Sequence, residues 1–158
     1  MMIDLEKLKG IKLSDYIEEE YIEKSYEFEY ATIMGLCQHI GHYIICFQSQ
    51  LNPKENEVIS FENVLDDAIL KRITNQILKD IGLKLQLGQT FASILDYFGT
   101  EYSKDDYWED IIRYHYFIQD SQEVFLSLGI HEKKGLCMVE IVTNPNIING
   151  IKYEGWRC

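Results

Sequence analysis

The chain has 158 residues, 46% hydrophobic and 13% aromatic, which is enough apolar surface for one folded domain over 1–158 and too much for a disordered chain. Its formal net charge of −11 argues against nucleic acid and anionic membrane surfaces as partners, because both would repel it. The first ten residues, MMIDLEKLKG, mix acids with lysines, and no apolar run is long enough to span a bilayer, so neither a signal peptide nor a membrane anchor is expected and a cytoplasmic location is.

Residues 14–24 read as a short helix, with Ser14 as N-cap and Ile17 and Tyr21 one turn apart. From 27 to 49 the texture becomes strand-like, with partial alternation and then continuous apolar sequence; His39 to His42 mark a turn, which predicts a hairpin. LNPKEN, residues 51–56, is a loop by its Asn-Pro and its charge. Ser60 reads as the cap of a long helix. Phe61, Leu65, Ile69, Ile73 and Ile77 recur every four residues, Glu62 favours the N-terminal dipole, and Gly82 terminates the pattern. The stretch LGQTFASILDYFGT, residues 87–100, is a second, short helix. Thr90 caps it, Phe91, Ile94, Leu95 and Phe98 share one face, and Gly99 stops it. At about two turns it needs tertiary packing to persist.

Residues 100–110, TEYSKDDYWED, read as an acidic, aromatic loop. Three strands follow at 111–118, 124–130 and 136–142, the first placing Tyr114 and Tyr116 on one face and Arg113 and His115 on the other. In the turn-rich tail, Ile147, Ile148, Ile151, Tyr153 and Trp156 are expected to pack back on the body. The predicted fold class is therefore α+β: an antiparallel sheet made of an N-terminal hairpin and a C-terminal three-strand meander, with one long and one short helix packed on one face.

Two helices followed by three antiparallel strands, with Leu87, Gly88, Thr90, Ile94, Leu95 and Gly99 at the second helix, resembles the SmpA/BamE-like family and the wider group with the β-lactamase-inhibitor-protein fold. The resemblance covers about 60–142. Thr100 stands where the family commonly has proline, and no lipoprotein signal or lipid-attachment cysteine precedes it. What the resemblance implies is this architecture and a tendency toward protein binding; no functional residue is carried over.

The residue types for chemistry are present without the spacing that chemistry needs. Cys37, His39, His42 and Cys46 are metal-like, but a hairpin would point them to opposite faces, so no metal is expected. A cysteine–histidine dyad would need an exposed, electropositive thiol, whereas three of the four cysteines lie in apolar runs and read as free, buried thiols. Adjacent acids such as Asp66 with Asp67 are not carboxylates held across a cleft. Neither phosphate-loop nor dinucleotide glycine spacing occurs, and no cofactor is expected.

The charge is unevenly spread. Residues 1–30 hold nine acids against four lysines, and residues 101–124 hold seven against Lys104 and Arg113. In the second segment Glu101, Tyr102, Asp105, Asp106, Tyr107, Trp108, Glu109 and Asp110 interleave rings with acids. The rings offer area to desolvate and the acids steer a basic partner. The bland alternative is a solvated loop with its rings tucked into the core. The leading expectation is an acidic, non-enzymatic protein-binding module, of the kind that serves as an immunity-type inhibitor of a basic toxin domain. The rival is a small-ligand binder or enzyme whose pocket gathers Tyr114, Tyr116 and His115.

Overall fold

The computed structural model describes residues 3–30 and 33–154, with the side chains of 26–30 and 154 outside that description. The expectations for Trp156 and Cys158 fall on residues outside it as well. Strands β1 (Glu23–Tyr30), β2 (Ile33–Ile40), β3 (Ile44–Ser49) and β4 (Val58–Phe61) form one meander; β5 (Ser103–Trp108), β6 (Ile111–Gln119), β7 (Glu123–His131) and β8 (Gly135–Val142) form another. They join as one open, eight-stranded antiparallel sheet in the order β1-β2-β3-β4-β8-β7-β6-β5. Helices α1 (Leu5–Lys9), α2 (Ala68–Asp80), α3 (Phe91–Phe98) and α4 (Pro145–Asn149) are all short.

This corrects the expected α+β arrangement of a hairpin plus a three-strand meander under a long and a short helix on one face. Each half contributes four strands, and the helices occupy both faces. The period-two alternation sorts the side chains. Ile44, Cys46, Ile59, Phe61, Leu126, Leu128, Val139 and Ile141 face one way, into a core with α1, α2 and α3. Phe47, Val58, Phe125 and Val142 face the other way, where Ile147 and Ile148 of α4 and Ile151 cover them. We call these the front and back faces. Tyr153, expected to pack on the body, is 79% exposed.

The long helix starts later than its periodicity suggested. Ser60 and Phe61 belong to β4, where Phe61 pairs with Ile44 and Val139 across two neighbours. Asp67 is the true cap, its carboxylate accepting from the amides of Ile69 and Leu70 at 3.0 Å. Leu70, Ile73, Ile77 and Leu78 are buried as expected, while Ile69 points out. Residues 14–24 are not a helix either. Two 3-10 turns, Leu13–Asp15 and Glu19–Tyr21, lead into β1.

The short helix is as read. Thr90 Oγ1 accepts from the amide of Ser93, and Gly99 ends α3 at φ +84°. The loop before it is held by paired backbone bonds: Gly88 N–H donates to the Leu136 carbonyl at 2.8 Å, and Leu136 N–H to the Gln89 carbonyl at 2.9 Å. Gly135 makes that approach feasible. It sits at φ +81°, and a Cβ there would lie 2.5 Å from the Gly88 carbonyl oxygen. Gly135→Ala should therefore cost about 3 kcal/mol or more, from left-handed strain and loss of the two paired bonds. Urea denaturation checks this, and a midpoint within error of the parent would contradict it.

Candidate functional site

The acidic, aromatic segment is not a loop. It is β5, an edge strand, and the edge position explains why it reads as a loop: both its faces are partly wet, so no apolar alternation marks it. Its register on β6 sets Ser103 opposite His115, Lys104 opposite Tyr114 and Asp105 opposite Arg113. A bulge between Asp106 and Trp108 breaks that register and throws the tryptophan outward, 64% exposed.

The eight residues singled out divide into two sets. Tyr102 is half-buried at the start of β5, edge-on to Phe91 of α3 at 5.8 Å and to Tyr114 at 5.1 Å. Asp105 accepts from Arg113 Nε at 3.3 Å and lies 2.7 Å from His115 Nε2. Tyr107 stacks under the Arg113 guanidinium at 4.7 Å and donates its hydroxyl to Glu62 Oε1 at 2.6 Å. Asp110 pairs with His131 Nε2 at 2.8 Å, and His131 Nδ1 accepts from the amides of Lys133 and Lys134, which fixes Nε2 as the protonated nitrogen. These four hold structure. Glu101, Asp106, Trp108 and Glu109 stay exposed, and no ion pair or side-chain hydrogen bond among the described residues engages the three acids.

The Tyr107–Glu62 bond also reports the shape of the sheet. β5 and β4 are separated by three strands, which in a flat sheet would put them about 19 Å apart. Their side chains meet, so this corner curls over the back face. The β5 bulge and a second irregularity between Gly129 and Ile130 of β7 are the devices that permit the curl. Sequence reading missed Glu62 and Arg113 as parts of this cluster. Arg113 had a signal, its alternation opposite the tyrosines; Glu62 had none, because its contact is set by curvature.

Beside the β5–β6 turn lies a cleft of about 360 Å³ between the start of α3 and that turn. Phe91, Ile112 and Tyr114 give it apolar walls, and Glu109, Asp110 and Glu132 give it an acidic rim, with Lys133 the single Lys or Arg in its lining. Tyr114 and Tyr116 are buried on the front face with α3, whereas His115 is buried on the back face near Phe125, so the three do not line one pocket.

The other candidate chemistry is dispersed too. Cys37 and Cys46 point to opposite faces, and burial pushes their thiols up to about 11 and about 12. His39 bonds the Gly41 carbonyl through Nδ1 and Ser25 Oγ through Nε2. No cluster of three or more His, Cys, Asp or Glu among the described residues is arranged to hold a metal ion. No helix among them is long and apolar enough to cross a membrane. Compared with protein-family models, curated proteins and solved structures, the chain matches none.

Partial burial raises the Asp105 carboxyl, but hydrogen bonds from His115 and Arg113 outweigh it, leaving the group below the usual carboxylate range. A carboxyl depressed on folding contributes stability above its unfolded value, about 3.9, and that contribution is lost as the pH falls through the folded value. Asp105→Asn should lower stability at neutral pH and flatten the acid limb of a stability–pH curve below about pH 4. Denaturant midpoints across that range are the check; a variant curve parallel to the parent's would refute the assignment.

Proposed function

We propose that this protein is an acidic, non-enzymatic protein-binding module that captures a basic protein on the β5 edge and the adjoining β5–β6 turn, as an immunity-type inhibitor of a toxin domain would. The observation that carries the reading is the division of labour along β5. Tyr102, Asp105, Tyr107 and Asp110, in β5 and beside it, are consumed in fixing the strand, and Trp108, Glu101, Asp106 and Glu109 are held outward on that fixed frame. A rigid frame lowers the ordering cost of binding, and an exposed indole flanked in sequence by uncompensated acids is the composition of an interface anchor.

The adjoining cleft suits the same partner. Its apolar walls accept the stem of an arginine or lysine, and Glu109 and Glu132 on its rim meet the charged head. The outer side of β5 also offers unpaired backbone groups along an edge, which a partner strand can extend. The chain's net charge of −11 favours a basic partner at long range and raises the encounter rate. Inhibition would be by occlusion, with Asp106 and Glu109 occupying the positions of anionic groups on the toxin's substrate.

The test is a titration against the product of an adjacent gene that encodes a basic protein. Trp108→Ala should weaken binding by about 30-fold or more, the scale of an interface anchor of about 2 kcal/mol, and Asp106→Lys should chiefly slow association. The affinity should fall with added salt. Failure of the parent to bind, or binding that ignores both substitutions and salt, would overturn the reading.

A further inference from the structure

The basic side chains of this acidic chain are not evenly placed. Lys9 and Lys12 of the N-terminal segment, Lys24 of β1 and Lys54 of the β3–β4 loop converge on one cavity of about 720 Å³. Of its lining side chains only Glu19 is acidic, although the chain as a whole carries 26 acids against 15 lysines and arginines. Acids abound nearby in sequence, at Glu18, Glu20 and Glu55, yet none of the four lysines is paired with one among the described residues. Four lysines that line one hollow without a carboxylate partner among the described residues repel each other, an arrangement that an anion would relieve.

The hollow is also built to stay open. Its floor is the front face of the sheet, where Lys24 lies opposite Gln38 and Gln48 follows on the next strand. Its wall is the segment running through Lys9 and Lys12, and Asn56 clamps that wall. Asn56 is wholly buried and donates from Nδ2 to the Leu8 carbonyl at 3.1 Å and the Ile11 carbonyl at 2.8 Å. Its own amide donates to the Lys9 carbonyl at 2.9 Å, and its Oδ1 accepts from Gln48 Nε2 at 3.3 Å. One side chain thus ties wall to floor and fixes the spacing between the lysines that rise from each. Ile11 and Ile22 add apolar surface within the same lining.

We propose that this cavity binds a phosphate-bearing small molecule, the lysines holding the phosphate oxygens and Ile11 with Ile22 receiving an apolar or ring portion. Lysine is a point-charge ligand well suited to phosphate, and the volume falls within the range of small-molecule sites, about 300–1,000 Å³. An extended polyanion such as nucleic acid is disfavoured, because the surrounding surface carries the chain's excess of acids and would repel everything outside the cavity. The site lies apart from β5 and needs nothing of the partner-binding reading.

Calorimetric titration of the full chain at low salt with inorganic tripolyphosphate and with adenosine triphosphate tests it. Both probes should bind at one site, and Lys12→Glu with Lys54→Glu should weaken binding at least tenfold. The pair Lys71→Glu with Lys104→Glu, which changes the net charge equally, should leave it within about threefold. Adenosine triphosphate binding more tightly than tripolyphosphate assigns a role to Ile11 and Ile22, and equal binding assigns recognition to the phosphates alone; both support the site. Amide chemical shifts should move at Lys24 and Gln38. No binding of either probe, or equal weakening by both pairs of substitutions, overturns the proposal, and near-UV circular dichroism confirms that the variants are folded.

Discussion

Everything in this molecule hangs on a pairing of four residues. Strand β4 is short, yet among the described strands it alone joins the first four-stranded meander to the second within the sheet, through Val58↔Val142, Ile59↔Ile141, Ser60↔Glu140 and Phe61↔Val139. That seam alternates in both directions at once. Ile59 and Phe61 with Ile141 and Val139 belong to the front core, and Val58 with Val142 to the back core. A slip of one residue would exchange the two sets and place Ser60 and Glu140 against the helices. The end of the seam is pinned by buried polar groups: Thr143 N–H donates to the Glu57 carbonyl at 2.9 Å, and Asn144 Nδ2 donates to Glu57 Oε2 at 3.1 Å. Buried polar contacts of this kind are costly to mispair, so they fix the register that apolar contacts alone would leave soft.

With the seam fixed, the rest of the architecture follows from where apolar area remains. The front face is too broad for one helix, so α1, α2 and α3 share it, and the back face is apolar only around Phe47, Phe125 and Val142, so the single turn of α4 with Ile147 and Ile148 suffices there. Elsewhere on the back face the curled β5 corner covers part of the sheet with Arg113, Tyr107 and Glu62. The curl thus places an edge strand, normally a liability for unwanted pairing, on a rigid support with its acids outward.

Which parts were legible in the sequence depended on how far each signal reaches along the chain. The helix α3 was readable because Thr90, its four apolar residues and Gly99 are all local. The strands 111–118, 124–130 and 136–142 were readable because one buried face gives clean alternation. β4 was not: VISF is buried on both faces, and its Phe61 happened to extend the four-residue spacing of Ile69, Ile73 and Ile77 backwards into a false first turn. β5 failed for the opposite reason, having too little buried surface to alternate. The layout of the candidate segment was half legible. The exposure of Glu101, Asp106, Trp108 and Glu109 follows from their residue types, whereas Asp105, Tyr107 and Asp110 are engaged by Arg113, Glu62 and His131, partners that sequence distance concealed.

The acidic corner and the lysine cavity are placed so that neither spoils the other. Glu62 follows the last residue of β4, whereas Asn56 and Lys54 precede its first, so at least the length of that strand, about 13 Å, separates them along the sheet. At physiological ionic strength the screening length is about 8 Å, so exposed charges at the two sites scarcely act on one another through solvent. A protein with uniform surface acidity could not hold four unpaired lysines in one hollow without recruiting neighbouring carboxylates to them. Here Glu19 alone among the acids enters the lining, and two other acids of the same region are engaged elsewhere: Asp4 caps α1, and Asp80 accepts the Tyr16 hydroxyl at 2.6 Å. The gathering of the lysines is thus a property of the fold, set by the Asn56 clamp that holds the segment of Lys9 and Lys12 beside the strands that carry Lys24 and Gln48.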